Sequence, residues 1–162
     1  MPLSQQYPKR YHQRVCENGH QITAYIELTP DDSKFCEKCG ALVIEQCSNC
    51  EALIPGTHPG DVKPFGSIPV PSYCNQCGKA YLWTSKKIEN IKNAIQNSQE
   101  LKGKDKTQIE NALESLNHGG LTDDEQITIF SKFKKSAPKA WSIVQPIFSD
   151  ILASAIKKQI GL

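Results

Sequence analysis

No stretch of the 162-residue chain approaches the roughly 20 consecutive apolar residues that a membrane helix needs. The opening segment, residues 1–14, is polar and has no apolar centre, so it does not read as a signal peptide, and a cytoplasmic location is the expectation. The chain has no phosphate-cradling glycine loop, no serine nucleophile elbow and no His-x-x-x-His pair, which removes the common catalytic motifs. Cysteine is missing altogether after residue 77, and eight of the ten prolines lie before residue 84. These shortages divide the chain into a cysteine- and proline-bearing part, 1–83, and a helix-patterned part, 84–162.

What is abundant is cysteine in the first part. Seven cysteines without export signals point away from disulfides, because reducing compartments keep thiols free. Six of them form Cys-x-x-Cys pairs, and the seventh, Cys16, has His20 four positions on. Seven thiols and one imidazole make eight ligands, the number that two tetrahedral zinc sites require. Buried free cysteines would not cluster in pairs, and a thioredoxin-like redox pair lacks its βαβ context. An iron–sulfur cluster suits the spacing less well than zinc knuckles followed by glycine, as at Cys39-Gly40 and Cys77-Gly78.

The ligand order is Cys16 with His20, Cys36 with Cys39, Cys47 with Cys50, and Cys74 with Cys77. Sequential pairing puts Cys16, His20, Cys36 and Cys39 on one Zn2+ (site one, 16–39). It puts Cys47, Cys50, Cys74 and Cys77 on the other (site two, 47–77). A cross-braced order is the alternative. Gly40 to Gln46 leave room for a strand between the second and third pairs, which favours the sequential order without settling it. His12 and His58 are spare candidates, read as surface residues.

Alternation over Ile22, Ala24, Ile26 and Leu28 predicts a strand, the run Pro30-Asp31-Asp32-Ser33 a turn, and Leu42-Val43-Ile44 a further short strand. The expected fold class is therefore small α+β: two zinc-ribbon-like β units followed by an α-helical C-terminal module. The 23-residue stretch between Cys50 and Cys74, with five prolines, is either a stiff spacer or a docking surface.

From Thr84 the period becomes helical. Ile88, Ile91 and Ile95 mark a first helix ended by Gly103, and Asp105 with Gln108 resembles a capping box for a second, stopped at His118-Gly119-Gly120. Thr122 to Glu125 is a better box for a third. Pro138 opens a fourth, running to Ile160 with a kink at Pro146. Its apolar residues cover more than one face. It is expected to be the central helix of about four, or else a surface for a partner or a second copy.

With four protein ligands per ion, both zinc sites are expected to be structural, and the protein is expected to act as a protein-interaction or adaptor module rather than an enzyme. Partners are expected through the C-terminal helix and the proline-rich loop. Nucleic-acid binding is the alternative. Its candidates are two short basic-aromatic strips, Tyr7, Lys9, Arg10, Tyr11 and Arg14, and Lys79, Tyr81 and Trp83. Residues 1–83 carry seven Lys plus Arg against eight Asp plus Glu. With two zinc-thiolate sites the part would be near −4, which opposes phosphate.

The segments Val15-Cys16-Glu17-Asn18-Gly19-His20-Gln21-Ile22, Phe35 to Gly40 and Tyr73 to Tyr81 resemble an uncharacterised bacterial family of double zinc-ribbon proteins with a helical C-terminal region. The resemblance spans Tyr11 to Trp83 most clearly. It implies a bacterial origin and paired zinc sites, and carries no activity with it.

Overall fold

The computed structural model describes residues 9–62, 67–118 and 120–162. The chain divides into two compact units, Met1–Trp83 and Thr84–Leu162.

In the first unit, regular structure is sparse, because tight turns around the cysteines take up most of the backbone. β1 (Arg14–Cys16) pairs antiparallel with β2 (Gln21–Thr23) and with β3 (Val43–Ile44), giving a three-stranded sheet in the order β2-β1-β3. Val15 faces Gln21 on one side and Ile44 on the other. The strand expected over residues 22–28 stops at Thr23. There the Thr23 and Thr29 hydroxyls bond each other at 2.9 Å, and the amides of Leu28 and Thr29 turn back to Tyr25 O. Local hydroxyl bonds compete with a ladder in this way. Tyr25 is then free to pack edge-on against Tyr11, ring centroids 5.8 Å apart, while Leu28 is left exposed. One 3-10 turn, Pro59–Asp61, is the only helix-like element of the described part of the long loop.

The second unit holds five helices: α1 (Leu82–Gln96, its first turn straddling the division), α2 (Gly103–His118), α3 (Asp123–Ser136), α4 (Pro138–Ile151) and α5 (Ser154–Ile160). Around α3 pack α2, α4 and α5. The core joins Ile88, Ile91 and Ile95 of α1 to Leu113, Phe130, Phe133, Trp141, Val144 and Phe148. Among the described residues no helix is long and apolar enough to cross a membrane.

Several helix boundaries differ from the sequence reading. α1 ends at Gln96 rather than at Gly103, its last carbonyl capped by Lys106 Nζ at 2.8 Å. α2 starts at Gly103, which places Asp105 inside the first turn, where it pairs with Lys132 instead of capping. Of the His118-Gly119-Gly120 stop, Gly119 lies outside the described residues. The Thr122–Glu125 box forms in both directions, with Glu125 N bonding Thr122 Oγ1 and Thr122 N bonding the Glu125 carboxylate. The largest difference is at the end. Pro146 stays inside α4, and the break falls at Leu152–Ala153, both extended. One helix from 138 to 160 would be about 35 Å long at 1.5 Å per residue, far longer than α3 beside it. Breaking it folds Leu152, Ile156 and Ile160 back onto the same core. The apolar residues that made this segment look like an interface are thus spent inside the unit, and Ile143 stays 67% exposed.

α4 illustrates a cap that local pattern does not show. Its own N-cap, Ala137, has no side chain to offer, and the Glu100 carboxylate accepts from the amides of Lys139 (3.4 Å) and Ala140 (2.9 Å) instead. Glu100→Ala is expected to lower the stability of the helical unit by about 1 kcal/mol, the usual worth of a cap. Urea titration followed by helical circular dichroism checks this, and an unchanged midpoint would show the contact to be idle.

Candidate metal centre

Each of the three Cys-x-x-Cys pairs sits at the tip of a tight turn closed by the same backbone bond. The amide of the residue after the second cysteine bonds the carbonyl of the first: Gly40 to Cys36 (2.7 Å), Glu51 to Cys47 (2.9 Å), Gly78 to Cys74 (2.9 Å). Single antiparallel pairs flank the three turns, Phe35 with Leu42, Gln46 with Leu53 and Tyr73 with Ala80. The residue leaving each turn has positive φ, at Gly40 (71°) and Gly78 (73°) but also at Glu51 (62°), the one described non-glycine residue in that region. A side chain in the left-handed region costs about 1–2 kcal/mol. Glu51→Gly is therefore expected to stabilise the unit by about 1 kcal/mol, read as a raised melting temperature; a lowered one would show that the Glu51 side chain matters more than its backbone.

The turn holding Cys16 and His20 is wider. Gly19 has φ 89°, and a Cβ there would also press on Trp83 at 3.1 Å, so both backbone and space require glycine.

These turns bring Cys16, His20, Cys36 and Cys39 together in one group and Cys47, Cys50, Cys74 and Cys77 in another, the ligand atoms of each lying within 4.8 Å of one another. The grouping follows the sequential order. With thiolate sulfur at about 2.3 Å and imidazole nitrogen at about 2.0–2.1 Å from one tetrahedral ion, neighbouring ligands stand about 3.8 Å apart for S···S and about 3.6 Å for S···N. Cys16 Sγ is 3.8 Å from Cys39 Sγ, and His20 Nδ1 is 3.6 Å from both Cys16 Sγ and Cys36 Sγ. In the second group Cys47 and Cys77 are 3.9 Å apart, and Cys50 and Cys74 are 3.6 Å. The donor sets fit a single ion each, with His20 binding through Nδ1. A cluster would hold its thiolates on separate irons.

Electrostatics point the same way. The amide of Ala41 leads the influences holding Cys39 down to about 6, with Asn18 Nδ2 adding a bond at 3.5 Å. Burial raises Cys74, but the amides of Cys77 and Gln76 overcome it and bring the thiol to about 6. At Cys50 the amide of Ala52 pulls downward, while burial and the three facing thiols push the group to about 12. Four thiolates in one group thus need a cation among them.

The sulfurs are part of two small cores. Cys16 and Cys36 pack with Val43, Ile22 and Ala41, while Cys47 and Cys74 pack with Val15, Ile54, Tyr81 and Trp83. Trp83 stacks on Tyr81 at 4.7 Å and donates Nε1 to Pro71 O at 2.9 Å. The Tyr81 hydroxyl is shielded and has no hydrogen-bond partner among the described residues. Burial, and then the Cys74 charge, push its pKa up.

His12 and His58 stand outside both groups. His12 Nδ1 pairs with Glu27 at 2.5 Å, and its amide adds a second bond, while His58 Nδ1 bonds Lys9 O at 3.0 Å. Part of the two basic-aromatic strips is taken up in packing and pairing, while Lys9 stays exposed. Tyr11, Tyr81 and Trp83 are buried, Arg14 pairs with Asp31 and Glu45, and Lys79 bonds Asn49 across the second site. Tyr7 lies outside the described residues.

Sequence reasoning missed the glutamines that fix the long loop. Fully buried Gln13 donates Nε2 to Pro55 O (2.9 Å) and Pro69 O (3.3 Å), and accepts from Gln21 at 2.6 Å. Gln21 in turn bonds both backbone groups of Ile68. The loop's first limb runs alongside Tyr11 to Gln13 so closely that a Cβ on Gly56 would meet Tyr11 O at 2.9 Å. The described parts of the loop are thus pinned to β1 and β2. Residues 63–66 of the loop, which include one of its five prolines, lie outside the described residues.

No curated protein and no solved structure matches the chain. A family model does, over residues 9–160, and its description is an uncharacterized protein conserved in bacteria (DUF2321). With nearly the whole length matched, from before the first ligand to the end of α5, the chain belongs to this bacterial family.

Proposed function

We propose that the chain is a zinc-binding protein with two structural ions, and that its cysteine-rich unit serves as a protein-interaction or adaptor module. The observation behind this reading is the pair of four-donor groups. Four protein ligands fill a tetrahedral shell and leave no position for water or substrate, which favours a structural over a catalytic role. Soft thiolates with at most one imidazole suit zinc among the divalent ions. Seven unpaired cysteines fit a reducing, cytoplasmic setting. Bound zinc would supply cross-linking and would neutralise part of the thiolate charge.

The interaction part of the reading rests on rigid apolar groups at the turn rims. Phe35 and Leu42 face each other as a cross-strand pair yet are 62% and 46% exposed, and Leu53 holds the equivalent place on the next turn at 41%. A metal-fixed turn offers these groups with little conformational entropy left to lose on binding.

Native mass spectrometry of untagged protein tests the metal reading: two zinc ions per chain are expected, and one or none would overturn it. A photo-reactive residue at position 35 tests the interaction reading. A discrete cross-linked product, lost when Leu42→Ala is added, is expected in cell extract. Its absence would overturn the adaptor role while leaving the zinc sites standing.

A further inference from the structure

We infer that the group Cys47, Cys50, Cys74 and Cys77 is an oxidisable site, at which hydroperoxides convert the four sulfurs into two disulfides that hold the turns in the ion's place. The inference rests on the two-zinc reading above and separates the two groups by what each can do without metal. The pairing of the sulfurs carries it. The close contacts in this group are Cys50 with Cys74 (3.6 Å) and Cys47 with Cys77 (3.9 Å). Each contact runs from one Cys-x-x-Cys turn to the other, so two bonds made there use every thiol and tie both turns together. The first group cannot do this. It has three sulfurs and an imidazole, and a bond across its 3.8 Å contact between Cys16 and Cys39 leaves Cys36 with only His20.

Access and charge favour the same group. Cys50 is exposed and its contact partner Cys74 is buried, so one sulfur meets solvent and the other stands behind it. An oxidisable cysteine beside a resolving one has this arrangement. Cys39 of the first group is exposed too, but Asn18 Nδ2 donates to its sulfur at 3.5 Å and withdraws charge from it. Among the described residues Cys50 accepts from the Ala52 amide and from no amide or ammonium side chain. With four thiolates against three, the second group also carries one more negative charge around its ion, and reactivity toward oxidants follows thiolate character. The surrounding core differs as well. Cys47 and Cys74 pack with Val15, Ile54, Tyr81 and Trp83, whereas Cys16 and Cys36 have only Val43 with Ile22 and Ala41 at its margin. The second group is thus the one whose turns have apolar support when the ion is given up.

The chemistry balances with hydroperoxide as the oxidant. The Cys50 thiolate attacks one peroxide oxygen; an S–O bond forms, the O–O bond breaks, and the departing alkoxide or hydroxide takes a proton from water. The Cys74 thiolate then attacks the Cys50 sulfur; the S–S bond forms, the S–O bond breaks, and hydroxide leaves to be protonated. Two thiolates give up two electrons, and the hydroperoxide gains them to become water with an alcohol or a second water. A second hydroperoxide repeats the sequence on half-buried Cys77 and its neighbour Cys47. A disulfide sulfur is no longer a thiolate, so none of the four remains a metal ligand.

The zinc-loaded full chain is titrated with hydrogen peroxide while a colorimetric chelator reads released zinc, and native mass spectrometry counts the ions before and after. The expected result is loss of half the zinc, one ion for every two peroxides consumed, with the chain four hydrogens lighter. Peptide mapping should then find Cys50 joined to Cys74 and Cys47 to Cys77. NMR should show the amide dispersion of the cysteine-rich unit preserved, and dithiothreitol with added zinc should restore the second ion. Fewer than two ions before any peroxide would overturn the zinc reading, and this inference with it. Two ions at the start followed by any of three results would overturn the inference alone: both ions leaving together, a first bond between Cys16 and Cys39, or bonds within a turn. Collapse of the amide dispersion on oxidation would do the same, since the disulfides would then not replace the ion.

Discussion

Replacing Cys39 by serine is expected to leave one metal ion on the chain instead of two and to unfold the cysteine-rich unit around site one. Cys39 Sγ stands 3.8 Å from Cys16 Sγ at one corner of the first group, and a neutral hydroxyl is a poor substitute for a thiolate there. The apolar core at this site is small: Cys16, Cys36 and Val43 with Ile22 and Ala41 at its margin. So little apolar area does not offset the entropy of ordering the surrounding turns. Structural zinc contributes an apparent ~10–16 kcal/mol in small domains, more than the whole stability of most of them. Metal analysis by native mass spectrometry and amide dispersion by NMR would report the outcome together. A folded variant holding two ions would refute the assignment of this ligand.

Phe148→Ala is expected to cost the helical unit about 3–5 kcal/mol, enough to unfold most of it. Phe148 is fully buried and touches three aromatic neighbours, with ring centroids 4.7 Å from Phe130, 5.3 Å from Trp141 and 6.4 Å from Phe133. Removing it opens a void among rigid rings that have little freedom to collapse. Urea unfolding followed by tryptophan fluorescence measures the loss. The same sample should still carry two ions, because all eight ligands lie before residue 78. A loss under about 1 kcal/mol would mean that the four rings do not form the packed centre of this unit.

That these eight residues gather into two groups of four is legible because metal chemistry favours such spacing within a few residues of chain. The stripes at Ile88, Ile91 and Ile95, and at Ile109, Leu113 and Leu116, were legible because a helix repeats its contacts locally. Where structure depended on distant partners, the pattern failed. Nothing near Gln13 announces that its amide holds Pro55 and Pro69, 42 and 56 residues away. Nothing near Ala137 says that Glu100 caps the helix after it. The alternation at Ile22 to Leu28 was real, but Thr23 and Thr29 closed a local turn that outcompeted the strand. The sequence places a kink at Pro146 within one helix to Ile160, yet α4 runs through Pro146 and the break lies at Leu152–Ala153, where the chain doubles back to bury Ile156 and Ile160.

The nearest-neighbour order of the two ligand groups bears on how the protein is made. Every ligand of the first group lies within residues 16–39 and every ligand of the second within 47–77. An ion held by each group would therefore close only short loops, whose entropic penalty is small. On a ribosome the first site would be complete once residue 39 clears the exit tunnel, before any ligand of the second has been added. A cross-braced order would have kept both waiting for the third and fourth pairs. On the proposed zinc reading, metal uptake would run from the amino terminus in two separate steps.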